Sequence, residues 1–170
     1  MCGNLQFFRN QPTAEQRLAR LAFAKGIRGE RIPPMRPIPL VVAQDACLVA
    51  VWGWPGFDRP LMHCRSESAA VTPTWAKAWR EHRGVVPVAG WHEGDRSVEA
   101  TDAHLAVLWM AAGDEVRFAV LTQDPPAQSQ VPRYPVPLTQ AGALAWMAGG
   151  GLDDQVRELR EYGQETIFGA

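Results

Sequence analysis

His104–Met110, reading HLAVLWM, and Val116–Thr122, reading VRFAVLT, are two apolar runs separated only by AAGDE at positions 111–115. Both are rich in branched and aromatic side chains, and the Gly-Asp step between them suits a tight turn, so they predict a β-hairpin. Upstream, GVVPVAGWHE (84–93) predicts a third strand carrying a loop at its polar end. LVVA (40–43) and CLVAVWG (47–53) predict two more around a turn at Gln44-Asp45, and LQFF (5–8) a short one. Helical signals lie between and after these strands. Thr13 and Gln16 have capping-box spacing ahead of Leu18, Leu21 and Ala22, predicting a helix to about Lys25. Thr72-Pro73 supplies an N-cap and a first-turn proline for a helix through Trp75, Ala78 and Trp79. Two further helices are expected at Thr139–Met147 and Asp153–Tyr162, divided by the triple glycine at 149–151. RIPPMRPIP (31–39), GWPGFDRP (53–60) and QDPPAQSQVPRYP (123–135) read as loops, and LMHCRSESAA (61–70) has no clean periodicity. The expectation is one α+β or barrel-like domain over residues 1–170, mostly strands with about four peripheral helices. Trp75, Trp79 and Trp146 are assigned to its core.

Composition narrows the class but does not choose a function. A hydrophobic fraction of 46% and a charged fraction of 21% are ordinary for a globular protein. Neither an apolar run of membrane length nor a basic-then-apolar leader pattern is present, so no membrane partner is expected. The three cysteines, Cys2, Cys47 and Cys64, lack CxxC spacing. They argue against a disulfide framework or a zinc site, and for a reducing, cytoplasmic setting. A net charge of -1 gives no global basic field, so nucleic-acid contact would need a local arginine patch.

Cys2 is the residue with the sharpest chemistry. Removal of Met1 ahead of a residue this small would leave a free amine beside the thiol. Their ordinary pKa values, about 7.7–8.0 and about 8.5, leave part of each nucleophilic near neutrality. Such an aminothiol condenses with an aldehyde to an imine, which the sulfur closes into a five-membered thiazolidine. The bland alternative is an incidental cysteine on a frayed terminus. In GWHEG (90–94), strand alternation places Trp91 and Glu93 on one face and His92 on the other. Trp52 and Trp54 flank a glycine and are candidates for stacking on bases.

Two known groups begin Met-Cys-Gly: the N-terminal-nucleophile amidotransferases and the SOS-response-associated peptidase (SRAP) family. Six segments of this chain resemble SRAP motifs, in the same order. IPPMRPIPLVV resembles N-x-A-P-x-x-x-x-P-V-V, VWGWPGF resembles W-G-L-x-P-x-W, and HCRSES resembles N-A-R-x-E-T. RGVVPVAGWHEG resembles R-C-L-x-P-A-x-G-F-Y-E-W, HLAVLW resembles F-A-G-L-W, and VPRYPVPL resembles H-D-R-M-P-V-x-L. The patterned glutamine-binding segments of an amidotransferase are not found. The resemblance implies a curved, partly closed mixed β-sheet with peripheral helices, acting as a monomer without metal or organic cofactor. It implies recognition of abasic sites in single-stranded DNA, covalent capture through Cys2 as a thiazolidine, and autoproteolytic release of Met1. Glu93 would be the pocket carboxylate assisting that chemistry. Arg65 and Arg133 would contact phosphate, with Pro34 and Trp52 on the same DNA-binding surface. The bland alternative for Arg65 is a local ion pair, with Glu67 or another neighbour.

The departures from the motifs are as informative as the matches. Where the family has a proton-transferring histidine, this chain has Val131. Where it has an arginine near the DNA, this chain has Asn4. His63 stands in place of an asparagine that orients the N-terminal residue, and Gly94 in place of an aromatic beside Glu93. His63 therefore has two candidate roles, as a substitute catalyst and as a positional hydrogen-bonding group. Two further functions stay open: a catalytically degenerate relative that binds DNA or protein without covalent capture, and an N-terminal-nucleophile amidohydrolase.

Overall fold

A computed structural model of the chain describes residues 2–29 and 31–163. The described elements, in chain order, are β1 (Asn4–Gln6), α1 (Arg17–Phe23), β2 (Pro37–Ala43), β3 (Ala46–Trp52), β4 (His63–Arg65), α2 (Pro73–Glu81) and β5 (Arg83–Glu93). They continue with β6 (Arg96–Ala112), β7 (Glu115–Gln123), β8 (Tyr134–Pro135), β9 (Pro137–Leu138), α3 (Gln140–Met147) and β10 (Leu159–Tyr162). The fold is α+β: a closed, barrel-like mixed sheet with three peripheral helices among the described residues, where about four were expected.

Closure follows from the pairing order. β5 pairs β2, β2 pairs β3, β3 pairs β7, β7 pairs β6, and β6 returns to β5. The β2–β3 hairpin is held to its neighbours by short seams. It meets β5 at Val41↔Val85 and lies parallel to β7 at Val51↔Arg117 and Trp52↔Phe118. β5 and β6 are long and outrun the barrel. Beyond an irregularity between Val88 and Gly90, their second halves form a ribbon, Gly90–Glu93 against Arg96–Glu99. β1 flanks this ribbon on the β5 side and β10 on the β6 side.

Side-chain alternation explains why the barrel strands are apolar on both faces. Leu40, Val86, Val88, Leu105, Val107, Phe118 and Val120 belong to one buried cluster that fills the interior. Their neighbours Val41, Val85, Ala106, Leu108, Ala119 and Leu121 belong to a second, packed under the helices with Leu18, Trp75, Ala78 and Trp146. Each fully buried aliphatic or aromatic side chain contributes about 1.5–3 kcal/mol, so two such layers dominate the stability. Thr139 caps α3 by accepting a hydrogen bond from Gly142 N at 3.0 Å. At Gly90, an added Cβ would lie 2.3 Å from Val98 O, so the strand crossing there admits only glycine. Gly94, with φ of 57°, turns β5 into β6.

Several local expectations are corrected. The helix expected over Asp153–Tyr162 is absent; its last residues form β10, because the edge of β6 at Ser97–Ala100 offers backbone partners that outweigh local propensity. α1 starts at Arg17 and not at Thr13. Gln16 Oε1 still accepts from Thr13 N at 2.8 Å, which closes a turn ahead of the helix. β2 begins inside the proline-rich stretch, with Pro37 and Pro39 opposite Val51 and Val49. Apart from the Val41 seam, the other side of β2 needs no donors there. HCR forms β4 through parallel pairing with β7 at Val120–Thr122, a non-local partner that periodicity cannot report.

Candidate functional site

The site is built around the N-terminal strand. β1 lies antiparallel to the end of β5, with Asn4 opposite His92 and Leu5 opposite Trp91, and Gly3 N donates to His92 O at 2.8 Å. Cys2 is therefore no frayed terminus. It is 1% exposed and belongs to the interior cluster with Leu5, Trp52, Trp91, Val131 and Tyr134. Its thiol is pushed well above the ordinary value by burial, and further by the charge of Glu93. In this arrangement the sulfur is protonated and shielded.

His63, at the start of β4, lies within hydrogen-bonding distance of the Cys2 carbonyl, Nε2 to O 2.8 Å. A carbonyl only accepts, so Nε2 carries the proton and donates. Burial lowers the pKa of His63, keeping the ring neutral near pH 7. Trp52 stands behind it, ring centroids 6.0 Å apart and nearly perpendicular. This contact with the backbone of Cys2 is the one a positional role for His63 requires.

Glu93 closes the third side. It ends β5, is buried, and is pushed up to about 7 chiefly by burial. Its charge reaches both the Cys2 thiol and the Tyr134 phenol. A carboxyl that exchanges its proton near neutrality suits acid–base work at an imine. Cys2, His63 and Glu93 therefore converge. Val131 is 7% exposed and packs in the same cluster, filling with an isopropyl group the position where the motif resemblance implies imidazole.

The proposed DNA-contact residues divide. Arg65 is exposed at the end of β4, and Pro34 is half-buried in the turn before β2. Two other expectations are corrected. The guanidinium of Arg133 is buried and already engaged: it donates to both carboxylate oxygens of Glu67 at 2.9 and 2.8 Å, to Asp124 at 2.9 Å and to Thr122 O at 2.8 Å. It ties Glu67 and Asp124 to β7, and Glu67 hydrogen-bonds to Arg133, while Arg65 acts on Glu67 through its charge alone. Trp52 has 0% exposure and donates from Nε1 to Met62 O, so its ring has no face left for a base. Trp54 packs edge-on against Trp75 at 4.8 Å.

Sequence reasoning passed over three features here. Phe57 is fully exposed at the tip of a loop closed by reciprocal Trp54–Leu61 backbone hydrogen bonds of 2.8 Å. Its place in WGWPGF, and not its hydrophobicity, was the available signal. Tyr134, in VPRYP, sets its ring edge-on against Trp91 at 5.6 Å and donates to Glu161. Burial raises the phenol to about 12, so it stays protonated. Arg96 sits directly opposite Glu93 in the β5–β6 register. A separate groove of about 610 Å³ between α1 and the β2–β3 turn holds none of these residues. Among the described residues no cluster of three or more metal-ligating side chains occurs.

The fold and site define a class: a closed α+β barrel presenting a buried cysteine on a paired N-terminal strand beside a carboxyl that titrates near neutrality. The family model for "SOS response associated peptidase (SRAP)" matches residues 1–167, so the chain belongs to that family. Three solved structures share the fold. A protein from Bacteroides thetaiotaomicron is 16% identical, with TM-score 0.70, covering 95% of this chain and 91% of that one. A protein from Bordetella bronchiseptica is 17% identical, with TM-score 0.71, covering 95% and 99%. A phage-related protein from the same organism is 19% identical, with TM-score 0.65, covering 95% and 93%. Comparison with curated proteins gives no match.

Proposed function

We propose that this chain is a SRAP-family binding module for single-stranded DNA in which recognition is kept and covalent capture is weakened. One observation carries the reading: apolar Val131 packs into the same buried cluster as Cys2, where the motif resemblance implies the proton-transferring histidine. Loss of a positioned acid or base costs about 10²–10⁴-fold in rate. Support for strand recognition comes from exposed groups around β4: Arg65 at its end offers a guanidinium to phosphate, and Phe57, in the loop that precedes it, offers an aromatic face to a base.

A second reading is full abasic-site capture, and the convergence of Cys2, His63 and Glu93 favours it. After autoproteolytic loss of Met1, the amine of Cys2 adds to the aldehyde and water leaves to give an imine. The thiol then adds across the C=N bond, its proton passing to nitrogen, and a thiazolidine results. Glu93 would supply and recover the proton during dehydration.

Incubation with an abasic single-stranded oligonucleotide, read by denaturing electrophoresis and paired with equilibrium binding to the undamaged strand, separates the two. The binding module predicts undamaged-strand affinity with slow or absent cross-linking, and faster cross-linking by Val131→His. Rapid cross-linking by the parent chain selects the second reading. Absence of strand binding and of cross-linking defeats both. Intact mass completes the test, since retained Met1 blocks the amine.

A further inference from the structure

Beside Tyr134, at the margin of the buried cluster that holds Cys2, a cleft of about 380 Å³ is lined by Arg96, Ser129, Gln130, Tyr134, Arg157 and Glu161, among others. Register fixes its distance from the site. Glu93 and Arg96 are paired across the β5–β6 turn, so their side chains leave the same face of the ribbon about 5 Å apart at Cβ. Two residues further along, the row Leu5, Trp91, Val98, Glu161 crosses all four strands of the ribbon on that face. The cleft thus begins one strand spacing from the candidate catalytic carboxyl.

Its polar groups are mostly donors. Glu161 is the one carboxylate among the residues named, and it is already occupied. It accepts from Tyr134 Oη and from Ser129 Oγ at 2.9 Å, and it pairs with Arg96 Nη1 at 3.6 Å. Burial works against its charge, but the hydrogen bonds from Tyr134 and Ser129 outweigh that and hold it below the ordinary carboxylate range. Arg96 also donates to Gln130 Oε1. Arg157 adds a second guanidinium, exposed at the rim. With two arginines against one satisfied carboxylate, the cleft carries one net positive charge and suits a singly charged oxyanion.

We infer that this cleft is a phosphodiester subsite, with Arg157 and Arg96 holding the backbone of the single strand next to the nucleotide presented to Cys2. The inference rests on the strand-binding reading above and assigns it a second contact besides Arg65.

The test uses the full chain and an undamaged oligothymidylate, with affinity measured across a salt series. Arg157→Ala should weaken low-salt binding by about fivefold and flatten the logarithmic salt slope by about 0.7. Arg157→Lys should keep most of that slope. Arg20→Ala, on α1 and remote from the cleft, should leave it unchanged. Parent-like binding by Arg157→Ala overturns the subsite while leaving the strand-binding reading intact, and an equal loss with Arg20→Ala overturns it as a mere effect of net charge. A parent chain that binds no strand overturns both proposals together. Inorganic phosphate, titrated at constant ionic strength, distinguishes the source of the anion. Displacement of the strand by millimolar phosphate, lost in Arg157→Ala, would assign the cleft to free phosphate and overturn the phosphodiester assignment.

Discussion

The two halves of the β5–β6 ribbon have the same antiparallel pairing and a different balance of chemistry. In the barrel half, Val85–Val88 face Ala103–Ala106, and six of these eight side chains enter one of two apolar clusters, with fully buried His104 the polar exception. In the outer half, Gly90–Glu93 face Arg96–Glu99, and burial falls on His92 and Glu93 as well as on Trp91 and Val98. The first half gains stability from the apolar residues it hides. In the second, hiding a carboxyl costs stability once it ionises, and that cost is what brings Glu93 to a useful pKa. Folding and reactivity are thus divided along one pair of strands.

The comparison is broken most directly from the barrel side. Phe118→Ala removes a fully buried ring from the interior cluster and should cost about 3–5 kcal/mol in denaturant unfolding. A loss under about 1 kcal/mol would mean that the interior is not the main source of stability.

Glu93→Gln sharpens the outer half. A folded-state value of about 7 against an ordinary 4.5 means the folded chain keeps a proton that the unfolded chain gives up. The stability carried by that proton is complete below pH 4.5 and is lost as the pH rises to about 7. Glu93→Gln should therefore match the parent near pH 4 and exceed it at pH 8, by up to about 3 kcal/mol. Unfolding curves at the two pH values that show no divergence would place the carboxyl in ordinary solvent.

Arg133→Ala should cost about 1–2 kcal/mol, because Glu67 and Asp124 are exposed enough to rehydrate once the clamp is gone. Arg65→Ala, by contrast, should leave the melting temperature unchanged and act only on strand binding. Reversal of these two results would exchange the roles assigned to the arginines. Phe57→Ala should be smallest in stability, within about 0.5 kcal/mol, while still weakening single-strand affinity. Undiminished affinity would remove the aromatic tip from the binding surface.

How far the sequence could be read tracks the range of the contacts involved. Hairpins were visible because turn and strands lie together: Gln44-Asp45 and Gly113-Asp114 sit where the expected turns fall. β4, β8, β9 and β10 were not visible, since each is short and takes its partner from a distant strand. At the site, ordered motif matches led to Cys2, His63 and Glu93, but motifs carry no burial. They could not show that Arg133 is spent on Glu67, or that Trp52 lies inside while Phe57 lies out. Tyr134 was hidden for a related reason: its partner Glu161 belongs to a segment that reads as helical.

The short seams around the β2–β3 hairpin bear on how the molecule assembles. That hairpin, like β5–β6 and β6–β7, joins neighbours in the chain and can form early. Its parallel contact with β7 must bring Trp52 to Phe118 across the whole intervening sequence, for two residue pairs and the hydrogen bond from Gly53 N to Phe118 O. Loop closure is the entropic cost that makes such non-local pairings slow. Barrel closure should accordingly be the late event in folding. In amide exchange, Gly53 should open ahead of the β5–β6 ladder, as the stave that leaves first.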